Sequence, residues 1–219
     1  MRSQISHRPS QADWFALAAL CLAWLGVWGA WIPHKTASLT QNAIDLAEWS
    51  AILNDVRFGP LAGMPNRLRL AIALAAVALA VAAGLLGNRW LRWVLRVVAA
   101  LPGFVLLPPY PFVLQLWRSE LYGTRFIVSM VLWVGVAASG LTGYLAWPVR
   151  RALVMALAAA AVGLSAWAFL ALRLPFQAHY DSLIMPGWGV IAFVGGLCAA
   201  VVLSSFPFIR AGFSAPAPA

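Results

Sequence analysis

Residues 70–87 read LAIALAAVALAVAAGLLG, and no charged or amide side chain interrupts them. A hydrocarbon core of about 30 Å takes about 20 helical residues per crossing. Inside lipid only helices and closed barrels satisfy the backbone. The stretch lacks the polar/apolar alternation of a membrane β-strand, so it reads as a transmembrane helix. Ala76, Ala80 and Gly84 recur at intervals of four and give this helix one smooth face. Small faces of that kind let helices approach closely where lipid removes any hydrophobic drive to associate.

Outward from this run, about five more of similar length lie at 14–33, 91–117, 126–147, 152–172 and 187–206. The whole chain is 63% hydrophobic and only 10% charged, where a soluble domain is about 25% charged. The expected fold class is all-α, a polytopic membrane bundle of about six helices. It forms a single integral membrane domain over 1–219. Around the bundle lie a polar tail at 1–13, a loop at 34–69 and a flexible tail at 211–219. Further small-residue faces occur at Gly135, Ser139 and Gly143, and at Gly195, Gly196, Ala199 and Ala200. They suit packing inside the bundle or against partner membrane subunits.

The start, MRSQISHRPSQAD, is basic and polar like the head of a signal peptide. The apolar run behind it exceeds an h-region of about 7–15 residues and shows no A-x-A site. A retained first helix is expected, with Ser10 and Asp13 as a capping pair at its start. The formal charge of +9 is spread over loops and forms no basic helix face, which excludes a nucleic-acid binder. It fits topology and anionic lipid headgroups instead. The short basic loops at 88–96 and 148–151 place the N- and C-termini in the cytoplasm of a bacterial-type plasma membrane. The loop at 34–69 then faces outward. Trp14, Trp31, Trp90, Trp93, Trp117, Trp147 and Trp188 fall near span ends, as an aromatic belt requires.

The third run is broken by its own composition. It contains LPGFVLLPPYPFVLQLW, with Pro102, Pro108, Pro109 and Pro111. Each proline removes a backbone donor and crowds the preceding turn. The expectation is a helix to about Leu101, a kink, and a break near Pro108–Pro111. The carbonyls freed there need other partners.

Motifs of soluble catalysis are missing: no GxxxxGK[ST], HExxH, GxSxG or CxxC occurs. No run holds a carboxylate or histidine at its middle, so a proton relay and haem ligation between helices have no footing. No cofactor is expected. Cys21 and Cys198 fall inside spans, where a thiol acts as a small apolar group. What chemistry there is lies in the outer loops. Ser38 and Gln41 make a capping-box pattern, predicting an amphipathic helix over 39–53 that rests on the outer surface. Asp45 and Glu48 stand about one turn apart on its polar face. With His34, His179 and Asp181 they could form a metal site of mixed nitrogen and oxygen ligands. The bland alternative is a wet acidic face paired with Lys35, Arg57, Arg67 or Arg69.

Three functions fit these features. The first is an accessory or membrane subunit of a larger assembly, with transport as one candidate role. The second is a small transporter or lipid-binding carrier built on the broken third span. The third is a membrane enzyme with an outer-facing site of histidine and carboxylates.

Overall fold

A computed structural model describes residues 9–34, 39–110, 112, 114 and 120–213; for 120, 121 and 207–213 only the backbone is described. Pro111, Ser38, most of the N-terminal tail and the tail beyond 213 lie outside the described residues. The chain forms α1 (Gln11–Trp28), α2 (Ala43–Ser50), α3 (Asn54–Arg57), α4 (Met64–Ala83), α5 (Arg89–Leu106), α6 (Glu120–Ala138), a 3-10 segment (Ser139–Tyr144), α7 (Trp147–Tyr180) and α8 (Trp188–Phe213). No strand occurs among the described residues; a single antiparallel bridge joins Ile32 to Gln41. The all-α membrane bundle expected from the sequence is the fold observed.

Among the described residues, five segments are long and apolar enough to cross a membrane: α1, α4, Tyr122–Tyr144, α7 and Trp188–Phe206. They make this an integral membrane protein. Helix α5, read above as the third span, falls outside that set because Arg89, Arg92 and Arg96 occupy its first turns. It still runs antiparallel to α6 through the bundle. Arg96 bonds to Ser139 at one end, and Leu106 accepts from Arg125 at the other. Ser10 and Phe206 line one cleft, so α1 begins on the face where α8 ends. This is the first face below; α2 marks the second.

The run that opened the sequence reading is the centre of the structure. Helix α4 touches α1, α2, α5, α6 and α7, and Ala71, Ala73, Ala78, Ala80 and Ala83 have no solvent exposure. The stripe Ala76–Ala80–Gly84 therefore packs inside the bundle. Helix α1 lies against α8 along its length. A Cβ on Gly26 would stand 2.5 Å from the Phe193 nitrogen, and one on Gly196 2.5 Å from the Ala19 carbonyl oxygen. Backbone meets backbone there, which only hydrogen side chains allow.

Several boundaries differ from the sequence reading, each for a local reason. The amphipathic helix expected over 39–53 is shorter. It starts at Ala43 because Asn42 accepts from the Ile44 and Asp45 N–H groups while Asp45 returns a bond to Asn42. The bridge with Ile32 holds Gln41 extended just before it. Its apolar face, Ala43, Ile44, Leu46 and Ala47, is buried, and its main neighbour is α4. Helix α5 continues through Pro102 rather than stopping at Leu101. It ends at Leu106, just ahead of Pro108 and Pro109, whose missing donors remove the next bonds. Trp31 is no belt residue. It is fully buried, its indole donates to the Gly26 carbonyl at 2.8 Å, and Phe169 and Phe193 pack on it. The Ser10–Asp13 capping box is present as read.

The adjacent glycines of α8 supply a controlled test of the α1–α8 contact. Gly196→Ala should destabilise the protein by about 1–3 kcal/mol through overpacking. Gly195→Ala meets open space and should leave thermal unfolding in detergent unchanged.

Candidate functional site

The end of α5 sets the first requirement on the second face. A helix that stops against a neighbouring helix leaves its last carbonyls without intrahelical donors. Helix α6 supplies them from a stripe at intervals of four. Arg125 donates through Nε to the Leu106 carbonyl at 2.9 Å and through Nη2 to that of Val105 at 3.1 Å. The Ser129 hydroxyl donates to the Gly103 carbonyl at 2.6 Å; one turn further along α6 the Trp133 indole adds a bond to the Ala100 carbonyl, which lies before the last turn of α5, at 3.2 Å. The charge this brings in is balanced by Glu48 of α2. Arg125 reaches its Oε2 at 2.8 Å and Arg69 of α4 its Oε1 at 3.3 Å. Arg69 also donates to the Ala47 carbonyl and to Asn66.

A matching tie closes the first face. Arg151 at the start of α7 bonds Asp13 of α1 through Nε and Nη2. It also donates to the Ser10 hydroxyl at 2.8 Å and stacks on Trp147 at 3.5 Å. Both members of the pair are buried.

Between α2 and the end of α7 lies a cleft of 530 Å³. Its lining mixes apolar Leu39, Trp49, Ile52, Leu53 and Phe176 with polar Gln41, Asp45, His179 and Tyr180. Gln41 is buried at 5% exposure. Its Nε2 donates to the Tyr180 hydroxyl at 3.2 Å, while its Oε1 has no partner. Turning the amide over would only exchange the paired and unpaired ends. The Tyr180 ring is flanked by His34 at 5.2 Å and His179 at 5.5 Å.

The residues singled out in the sequence divide among several places. His34 and His179 meet through Tyr180. Asp45 borders the same cleft but also closes the cap of α2. Glu48 turns away from it into the arginine tie. Asp181 ends α7 in the left-handed region, φ 46°, with its N–H on the Gln177 carbonyl, a conformation aspartate tolerates better than most residues. No group of three His, Cys, Asp or Glu residues suited to a metal ion occurs among the described residues. Pro102 sits within α5, and Pro108 and Pro109 follow its end. The sequence reading named Arg69 as a partner for the acidic face and missed Arg125. The spacing of Arg125, Ser129 and Trp133, polar groups on one face of an apolar helix, is the signal that could have found it. Gln41 and Tyr180 carried no such signal, since the strap and the α7 end meet only in space.

Comparison with known proteins finds no family model, no curated protein and no solved structure that matches the chain. The site must therefore be read from its own chemistry.

Glu48→Gln would leave two guanidiniums without their counter-charge, Arg69 at 2% and Arg125 at 10% side-chain exposure. Breaking a buried pair this way costs about 3–5 kcal/mol, and the lower end is expected because water reaches part of Glu48. Asp55→Asn, on the exposed α3, should stay within about 0.5 kcal/mol. Chemical unfolding in detergent compares the two.

Proposed function

We propose that the chain is a binding protein of the membrane, which holds an amphipathic molecule in the cleft between α2 and α7. The observation that carries this reading is the Gln41 amide, buried at the cleft with one end unpaired. An unsatisfied buried group costs about 1–3 kcal/mol, and a ligand head that bonds it recovers that cost. The apolar residues of the lining suit an acyl body. Asp45 in the lining disfavours an anionic head, so the ligand is a lipid-like molecule with a neutral hydroxyl or amide head. Binding is favoured over catalysis because the nearby carboxylates are engaged in structure, Asp45 in the α2 cap and Glu48 in the arginine tie.

The test uses a monoacylglycerol bearing a photoactivatable diazirine on its chain. Saturable labelling should concentrate in the segments 39–53 and 176–180. Gln41→Leu should weaken it about fivefold, the loss expected for one hydrogen bond of about 1 kcal/mol. Labelling spread evenly over the lipid-facing helices, and unchanged in the variant, would reject the cleft as a site.

A second reading, a subunit of a larger membrane assembly, is favoured by the outward face of α8. Gly195, Cys198 and Ala199 are exposed there, and nothing in this chain approaches Gly195. A component that co-purifies in mild detergent and is lost from Gly195→Leu is the expected result. A chain that runs alone in several detergents removes this reading.

A further inference from the structure

The first face carries a feature that depends neither on the cleft nor on a partner subunit. Arg92 and Arg96 of α5 stand near Arg150 of α7, with Arg92 close enough to repel both of the others. Two of the three secure helix ends. Arg96 donates through Nη2 to the Ser139 carbonyl at 3.1 Å. Arg150 donates to the Leu145 carbonyl at 2.9 Å, to that of Gly84 at 3.3 Å and to that of Gly143 at 3.1 Å. These bonds are to dipoles and leave the full charges uncancelled. The Arg96 Nε is buried without a partner, and Arg92 has no ion pair among the described residues.

No carboxylate is at hand to balance them. The sequence has no Asp or Glu between Asp55 and Glu120, or between Glu120 and Asp181. Glu120 begins α6 on the opposite face, and Asp13 is committed to Arg151. The cluster sits where α5 and α7 begin and where α4 and the 3-10 segment end, so helix dipoles of both signs meet there and leave the guanidinium charges as the net excess. Five guanidiniums, Arg89, Arg92, Arg96, Arg150 and Arg151, thus share this face with a single described acid.

The surroundings say what kind of anion would meet them. Trp90, Trp93 and Tyr144 are exposed beside the cluster, and such rings favour the headgroup level of a bilayer. Below it on α5 run Val97, Leu101 and Phe104, all exposed, a surface for an acyl chain. A guanidinium fork matches phosphate oxygens in pairs. We propose that Arg92, Arg96 and Arg150 bind the phosphate of an anionic membrane lipid, with its chain lying along α5. A soluble phosphate would use the same forks but gain nothing from the aromatic ring belt or the apolar track.

Native mass spectrometry of the detergent-purified chain tests this with phosphatidylglycerol, phosphatidylcholine of the same chains, and inorganic phosphate. Phosphatidylglycerol should bind at least about fivefold more tightly than phosphatidylcholine. Arg92→Gln removes no bond that holds the fold and should lower that affinity about fivefold, with unchanged thermal unfolding. Arg57→Gln on the second face should change nothing. Equal binding of the two lipids, or a preference that survives Arg92→Gln, would overturn the proposal. Inorganic phosphate competing as strongly as the lipid would overturn its assignment to a membrane lipid. Because Gln41 and the cleft lie on the other face, either proposal can fail without the other.

Discussion

A helix that ends short on the flank of a membrane bundle has to hand its carbonyls to another donor, and much of the second face follows from that need. Prolines 108 and 109 stop α5 at Leu106. In water the exposed carbonyls would be hydrated; here the Arg125 guanidinium takes two of them. An arginine placed there brings a charge that the bundle must balance, and Glu48 does so from the loop between α1 and α4. The loop is thereby tied to α6, and Arg69 ties it to α4. A break in one helix has fixed the position of another.

The two faces solve the problem of charge differently. On the second face, Arg69 and Arg125 share the Glu48 carboxylate, which offsets one of their two charges. On the first face, only Arg151 among the described residues finds one, while Arg96 and Arg150 bond to backbone carbonyls at helix ends. Carbonyl dipoles orient a guanidinium well but neutralise little of it. That leaves an excess of positive potential on this face, the feature from which the anionic-lipid proposal starts.

The fold class was legible because it depends on run length and apolarity, which need no knowledge of neighbours. So was the capping of α1, set by Ser10 and Asp13 within one turn. What the sequence concealed was contact between distant segments. Trp31 looks like an interfacial ring by position, yet the strap around it bonds to Gly187 and Gln41 and buries it. Asp45 and Glu48 look equivalent on a helical wheel. Their roles diverge because Arg69 and Arg125 lie on Glu48's side, and their chain positions, 21 and 77 residues away, carry no periodic mark. Ser38 promised a cap three residues before Gln41; Asn42, whose side-chain oxygen accepts from the Ile44 and Asp45 N–H groups, is where the helix begins.

Helix α2 has 8 residues, far below the length at which an isolated helix is stable in water. It persists because its ends are fastened. At its start, Gln41 is held to Trp31 and Ile32 by backbone bonds; near its end, Glu48 is held by two arginines. The cleft is bounded by this same short helix, so its shape rests on both fastenings. The unpaired end of the Gln41 amide is consequently not a loose side chain in search of a partner. It is held in place by a backbone that the bundle has already fixed, which is the condition under which a single hydrogen bond to a ligand retains most of its value, because no ordering cost remains on the protein side.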